Sequence, residues 1–348
     1  MKKFILKSIL FTAPFLLFYL LNAIYYIPNK GDLTRLGYLY DEAQSREDTF
    51  KGFYPEKKYT VLSELNLDTE NSFDVFTIGD SFSEQGLLGY KNFLAENHSL
   101  LHMDRFLSGN PVQKLIELIN GDFFEKNKFN YVILQSVERV FVQRTQTIDS
   151  TKAIEIEELK KLINNYEPEP LKTHTPFFSD ATLKVPITNV QYLFNEKPKF
   201  SQTYNVKTVN SNLFSGHKNN LLFFEDDINY LSFKNDSLKV LESNILINKI
   251  SEMLSKKNIK LLLLISPDKY DLYYPEIKNK NKYERPLFFK YYNELSKDYL
   301  YINSLEVLNT ELKIKKDVYY FDDTHWSPIG VKAITLELNN ILKSNGEF

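Results

Sequence analysis

Hydrophobic and polar positions divide the chain into an apolar head, a long alternation of strands and helices, and an irregular stretch set inside that alternation. From Ser8 to Ile27 no residue is charged, and Lys2, Lys3 and Lys7 precede the run. A run of about 20 apolar residues matches the hydrocarbon thickness of a bilayer. Lysines before it, and none within it, predict a cytoplasmic N-terminus and a body on the far side. Tyr25, Tyr26 and Pro28 read as an interfacial belt and a stop. With no small-x-small cleavage site, residues 1–28 read as an uncleaved anchor rather than a removed signal. Residues 29–70 are polar and irregular, a juxtamembrane segment that packs partly on the body.

The alternation begins at "FDVFTIG" (73–79), a short apolar run of the kind that forms a buried parallel strand. "SLLHMDRFL" (99–107) and "YVILQSV" (131–137) are the next two candidates. Between them lies a marked helix. Asn110 can cap it, Pro111 suits the first position, Val112, Leu115, Ile116 and Ile119 share one face, and Gly121 suits a left-handed stop. The pattern then breaks over about 140–235. Alternation in "LKVPITNVQYLF" (183–194) and "NNLLFFEDDINYLSF" (219–233) predicts short strands and long loops, an inserted cap. Aromatic residues there, such as Phe194, Phe200 and Tyr204, either stack on sugar rings or fill a small core.

The alternation resumes with a long helix capped by Asp236 or Ser237, its apolar side formed by Leu238, Leu241, Ile245 and Ile250. "IKLLLLIS" (259–266) reads as a central strand, and a helical stretch around 287–297 precedes "YLYINSLEVL". A last helix follows Ser327 and Pro328, with Val331, Ile334, Leu338 and Ile341 as its stripe. The fold class is therefore α/β: a doubly wound parallel sheet over 71–348, with an inserted cap and an N-terminal transmembrane helix.

Composition narrows the chemistry. A net charge of −2 offers no basic face, so no nucleic-acid partner is expected. The absence of cysteine rules out disulfides, thiol nucleophiles, iron–sulfur clusters and cysteine-bound zinc. The five histidines (His98, His102, His174, His217 and His325) show no His-x-x-x-His spacing, so neither a metal nor a cofactor is called for.

"FTIGDSFSEQG" (76–86) ends the first strand with Ser81. Ligands in such sheets bind beyond the C-terminal strand ends, which is where Ser81 falls. A serine hydroxyl needs a base to become a nucleophile. "YYFDDTHWSPIG" (319–330) offers His325 before the last helix, with Asp322 and Asp323 three and two residues ahead. Taken alone, Gly-Asp-Ser is also a common turn, and Asp-Thr before a helix is also a cap. The other histidines have no acidic partner at comparable spacing.

"IGDSFS" and "DDTHWSPIG" together resemble the SGNH (GDSL-type) hydrolase superfamily. The Asp-Thr-His-Trp form, "PDKYDLYYPE" (267–276) and "VILQSVER" (132–139) resemble its alginate O-acetyltransferase branch. The resemblance implies a three-layer α/β/α fold, Ser81 as nucleophile, His325 as base, and Asp323 or Asp322 as the carboxylate that orients it. The serine block precedes the histidine block here, the order of ordinary SGNH hydrolases rather than of the alginate branch. The superfamily's oxyanion asparagine has no counterpart, since the matching strand end reads Ser136-Val137-Glu138-Arg139. The donors expected in its place are the N–H groups of Ser81 and Gly109, with Asn110 or Arg139 as additions.

The function expected is a membrane-anchored, extracytoplasmic O-acyltransferase that acetylates a polysaccharide through an acyl-serine. Its partners would be a glycan acceptor and a multi-spanning membrane protein that delivers the acyl group. A carbohydrate esterase with the same triad and a non-catalytic glycan-binding scaffold are the alternatives.

Overall fold

The computed structural model describes residues 1–25, 31–40, 49–50, 52–53, 55–167, 177, 179 and 181–345. Tyr26, Pro28 and His174, singled out in the sequence, lie outside the described residues.

Six parallel strands form the central sheet: β1 Thr60–Val61, β2 Asn71–Ile78, β3 Leu100–His102, β4 Asn127–Val137, β7 Lys260–Ser266 and β8 Leu300–Ile302. Their spatial order is β1-β3-β2-β4-β7-β8. The chain leaves β2 in one direction to make β3, then crosses back to make β4 on the other side of β2. That reversal puts a crevice beyond the C-terminal end of β2, the usual ligand position in doubly wound folds. β5 Thr203–Lys207 and β6 Asn220–Phe224 form a separate antiparallel hairpin in the inserted region.

Side-chain parity explains why the central strands read as continuous apolar runs. Phe76 and Ile78, Val132 and Leu134, and Leu261, Leu263 and Ile265 enter one core. Val75, Tyr131, Ile133, Leu262 and Leu264 enter a second core on the opposite face. Helices close both faces, so each strand buries odd and even positions alike.

Eight helices matter below. They are α1 Lys2–Tyr25, α2 Asp32–Gly37, α3 Pro111–Asn120, α4 Glu138–Gln146, α5 Ala181–Tyr192, α6 Ser237–Ser255, α7 Lys269–Tyr273 and α8 Pro328–Asn345. The expected caps form on α3, where Asn110 accepts from the Val112 N–H at 3.1 Å, and on α6, where Asp236 accepts from Leu238 and Lys239. On α8, Ser327 Oγ accepts from the Ile329 N–H at 3.0 Å. Residues Lys2–Ala23 of α1 are long and apolar enough to cross a membrane, and the helix fits a single-pass anchor.

Three local expectations are corrected. Residues 183–194, read as a strand, continue the helix α5 and the turn that follows it. On α6 the buried face is Val240, Asn244, Ile247, Ser251 and Leu254, whereas Leu238, Leu241 and Ile245 are exposed. Asn244 and Ser251 turn inward because they donate to the carbonyls of Ser296 and Asp298, each at 2.8 Å. Gly121 has φ −85°, so it ends α3 without a left-handed residue. Glycine is needed there because the Ile154 carbonyl occupies the space a Cβ would fill.

Candidate active site

Close packing fixes the Ser81 loop. β2 ends at Ile78, and a Cβ on Gly79 would collide with Ser83 Oγ and Gln135 Oε1. Gln135, buried on β4, accepts from the Asp80 N–H and the Ser83 hydroxyl, both at 2.9 Å, and donates to Ser266 Oγ of β7 at 2.9 Å. Asp80 accepts from the N–H groups of Val137 (2.7 Å) and Phe82 (3.2 Å) and from Arg144 Nη1 (2.6 Å). Burial alone would raise the pKa of Asp80. The Arg144 guanidinium and the backbone donors outweigh burial and hold the carboxyl below its ordinary value. The loop is thus clamped across β2, β4 and β7. Ser81 sits half-buried on this clamp, and among the described residues its hydroxyl and N–H donate to no protein group.

The His325 loop is held from below. Trp326 Nε1 donates to Tyr319 Oη (2.8 Å), and Tyr319 donates to the Pro267 carbonyl beyond β7 (2.6 Å). Lys269, fully buried at the start of α7, donates to the carbonyls of Tyr320 (2.7 Å), Phe321 (2.6 Å) and Asp323 (3.2 Å). "PDKYDLYYPE" and "DDTHWSPIG" are therefore one unit, with Lys269 as the post under the loop.

Burial pushes the Lys269 pKa down to about 7, although Asp322, Asp323 and Asp32 pull it upward. An unfolded lysine stays protonated to about pH 10.4. Between pH 7 and 10.4 the unfolded chain therefore holds more protons here, and this group makes stability rise with pH over that window. Lys269→Met should flatten that rise and destabilise the protein. The expected cost is about 1–3 kcal/mol for each buried carbonyl left unpaired. Denaturant unfolding at pH 7 and pH 9.5 measures both effects; an unchanged pH slope would contradict the assignment.

The two aspartates before His325 diverge. Asp323 Oδ1 lies 2.6 Å from His325 Nδ1 and also accepts from the His325 N–H at 3.1 Å. Asp322 Oδ2 instead accepts from the Gly31 N–H at 2.9 Å. A proton on Nδ1 satisfies Asp323 and leaves Nε2 bare as an acceptor. Nε2 is buried and has no partner among the described residues. The Phe82 ring, one residue from Ser81, packs on the imidazole with centroids 4.6 Å apart and on Trp326 at 5.0 Å. Gln85 Nε2 donates to the Trp326 carbonyl at 2.8 Å across 241 residues of sequence. The serine and histidine loops therefore meet at the C-terminal edge of the sheet.

Sequence reasoning missed Asp32. Helix α2, which follows α1, docks beside His325: Leu33 N–H donates to the Asp322 carbonyl (3.0 Å), and Asp32 accepts from the Thr324 N–H (2.8 Å) and hydroxyl (2.5 Å). Asp32 Oδ2 lies 3.8 Å from His325 Nδ1. Burial and the neighbouring Asp323 raise the pKa of Asp32. No motif spacing reveals this contact, because the partners lie 292 residues apart.

The expected oxyanion groups separate. Gly109 has φ +55° and lies beside the Ser81 loop, since Ser108 Oγ donates to the Gly79 carbonyl (3.3 Å), but its N–H donates to the Arg105 carbonyl (3.4 Å) and so is not the free donor expected. The Asn110 side chain is committed to its cap and to the Arg144 carbonyl (3.1 Å). Arg139 Nη1 is committed to Asp227 (2.9 Å) and Asp268 (3.1 Å). Glu138 is fully buried, and burial together with Asp271 pushes its pKa well up.

Among the described residues two clusters have ligand atoms close enough for a cation: Asp32, Asp323 and His325, and Glu138, Asp268 and Asp271. In the first, the 2.6 Å contact between Nδ1 and Asp323 is a hydrogen bond, shorter than the separation of two ligands around a metal. In the second, Lys234 Nζ lies 3.2, 2.6 and 3.0 Å from Glu138, Asp268 and Asp271, where a cation would sit.

The three other described histidines do not join the site. His102 is buried between Thr77 Oγ1 (2.8 Å) and Glu84 (2.9 Å), His98 pairs with Asn339, and His217 stacks on Phe321. Tyr204 stacks on Phe223, while Phe194 and Phe200 are exposed. An open groove of about 610 Å³ lined by Asp74, His98, Asn130 and Lys260 lies at the opposite, N-terminal strand ends.

No curated protein and no solved structure matches the chain. Residues 218–345, which hold Lys269, Asp323 and His325 but not Ser81, match the family model described as the SGNH hydrolase-like domain of the acetyltransferase AlgX.

Proposed function

We propose that the protein is a membrane-anchored O-acyltransferase that acetylates an extracytoplasmic polysaccharide through an acyl-Ser81 intermediate. One observation carries the reading: His325 has Nδ1 fixed on Asp323 and a buried Nε2 with no partner among the described residues, while Phe82, next to Ser81, packs on its ring. In the first half-reaction Ser81 Oγ attacks the acyl carbonyl, and Nε2 takes its proton. Asp323 steadies the imidazolium. The Ser81 N–H, which donates to no protein group among the described residues, is the donor left for the developing oxyanion, because the Gly109 N–H is spent on the Arg105 carbonyl. The leaving group departs with the proton from Nε2. In the second half-reaction a sugar hydroxyl loses its proton to Nε2 and attacks the acyl-serine; the bond to Ser81 Oγ breaks, Oγ takes the proton from Nε2, and the sugar ester leaves. The acetyltransferase match over 218–345 supports an acetyl group over other acyl groups.

Chain length supports a donor delivered from the membrane. Six residue steps join Tyr25, at the end of α1, to Gly31, whose N–H bonds Asp322. At 3.3–3.6 Å per residue they reach about 20–22 Å at most. The site is therefore tethered close to where α1 ends, within reach of a membrane protein that hands over an acyl group.

Asp32 gives a testable detail. Asp32→Asn keeps an acceptor for Thr324 but removes a carboxylate 3.8 Å from His325 Nδ1, which would steady the imidazolium formed during transfer. It should lower kcat/KM by up to about tenfold with little change in unfolding free energy; an unchanged kcat/KM would leave Asp32 with a packing role alone.

Transferase and esterase share the first half-reaction and differ in the second. The full-length protein in detergent or nanodiscs is given an activated acetyl ester with and without an acceptor oligosaccharide, and acetylated sugar and free acetate are measured. Acetyl-sugar that rises with acceptor at the expense of acetate supports transfer. Acetate release indifferent to acceptor would make the protein an esterase. Turnover of neither kind would leave a scaffold.

A further inference from the structure

We infer that the outer face of α5 and the turn after it lies in the membrane–water interface and seats the body on the bilayer beside α1. The claim rests on α1 spanning that bilayer and is independent of the chemistry above.

Helix α5 is inside out for a helix bathed in water. Its inner side is polar apart from Val185. Thr182 and Thr188 are buried, Asn189 donates to the Tyr38 carbonyl (2.9 Å), and Tyr192 Oη donates to the Thr203 carbonyl (2.7 Å). Its outer side carries Leu183, Ile187, Val190, Leu193 and Phe194, exposed by 48% to 81%. The spacing 183, 187, 190, 194 is one continuous helical stripe. Lys184 is the only charged residue between 181 and 194, and its Nζ turns to the Tyr38 ring, 5.0 Å from the centroid. An exposed apolar stripe of this length, with no charged side chain along it, marks a surface with a partner.

Contact with α1 identifies that partner as lipid. Thr182 Oγ1 donates to Asn22 Oδ1 (3.0 Å), Ser179 donates to the same oxygen, and Tyr19 stacks on Phe177 with centroids 5.6 Å apart. Asn22 and Tyr19 belong to the last turns of α1, opposite the end that carries Lys2, Lys3 and Lys7. α5 therefore starts at the depth where α1 leaves the hydrocarbon. There an apolar face turned away from the body meets the acyl–headgroup boundary, the position taken by interfacial helices.

The chain has no cysteine, so one introduced cysteine is a unique label site. Val190→Cys, Leu16→Cys and Leu336→Cys are each made in the full-length protein. Each is labelled with an environment-sensitive nitrobenzoxadiazole dye and placed in phosphatidylcholine–phosphatidylglycerol vesicles with nitroxide-bearing lipids. Leu16 lies in α1, and Leu336 is comparably exposed but on α8. The probe at 190 should emit to the blue of the probe at 336 and lose about half its fluorescence to nitroxides near the headgroups, the depth of an interfacial helix. Quenching at 190 no stronger than at 336 overturns the inference. Blue emission without quenching would then assign the face to a protein partner, and water-like emission would leave it bare. Absence of quenching at 16 would overturn the membrane reading of α1 and, with it, the inference.

Discussion

Asp323→Asn should lower acetyl transfer by about 10³–10⁴-fold while leaving the protein folded, and Asp322→Asn should change it by less than about tenfold. The asymmetry comes from geometry. Asp323 holds His325 Nδ1 at 2.6 Å and so dictates which ring nitrogen carries the proton. An amide can present its NH₂ to Nδ1, which moves the proton to Nε2 and blocks acceptance of the Ser81 proton. Asp322 spends its side chain on the Gly31 N–H, so its loss loosens the segment that carries Asp32 without turning the imidazole. Single-turnover rates and Trp326 fluorescence, which reports on folding from a buried position, separate the two effects. Equal losses at both positions would mean that the loop responds as a whole and that neither carboxylate has a distinct role.

Arg144→Met should be strongly destabilising, although Arg144 takes no part in the proposed chemistry. Asp80 is buried, and its ionised form rests on Arg144 and two backbone N–H groups. Removing one partner of a buried pair strands the other, at a cost of about 3–5 kcal/mol. Arg144 keeps 20% side-chain exposure, so the lower end of that range applies. The same guanidinium donates to Ser136 Oγ at 2.7 Å, tying the end of β4 to the Ser81 loop. Arg144→Met combined with Asp80→Asn should recover part of the loss, because no buried charge is then left alone. Denaturant unfolding of the full-length protein gives the three free energies. A double variant less stable than Arg144→Met would show that Asp80 contributes by shape and not through its charge.

The sequence carried the fold wherever one physical pattern dominated. β2, β4 and β7 are buried on both faces, so their apolar runs need no partner to be recognised. Ser81 and His325 followed from the rule that loops at C-terminal strand ends converge. Where two environments compete, periodicity misleads. Leu183, Val185 and Ile187 alternate like a strand, yet Val185 faces the body while Leu183 and Ile187 face outward with Val190 and Phe194. On α6, hydrogen bonds to loop carbonyls draw Asn244 and Ser251 inward and leave Leu238 and Ile245 outside. Asp32 was illegible for another reason. Its role is set by a contact between the two ends of the chain, and Gly31, the residue before it, bonds a carboxylate that the sequence placed beside His325. The choice between Asp322 and Asp323 likewise needed the turn geometry, since both stand at workable spacing.

The measurement that bears most directly on the chemistry is peptide mapping of the full-length protein after brief exposure to an activated acetyl ester, in parallel with His325→Ala. A single acetyl group on the peptide containing Ser81, absent in the variant, is the predicted result. Acetyl found elsewhere, or on Ser81 to the same extent without the imidazole, would contradict proton transfer from that alcohol to that ring.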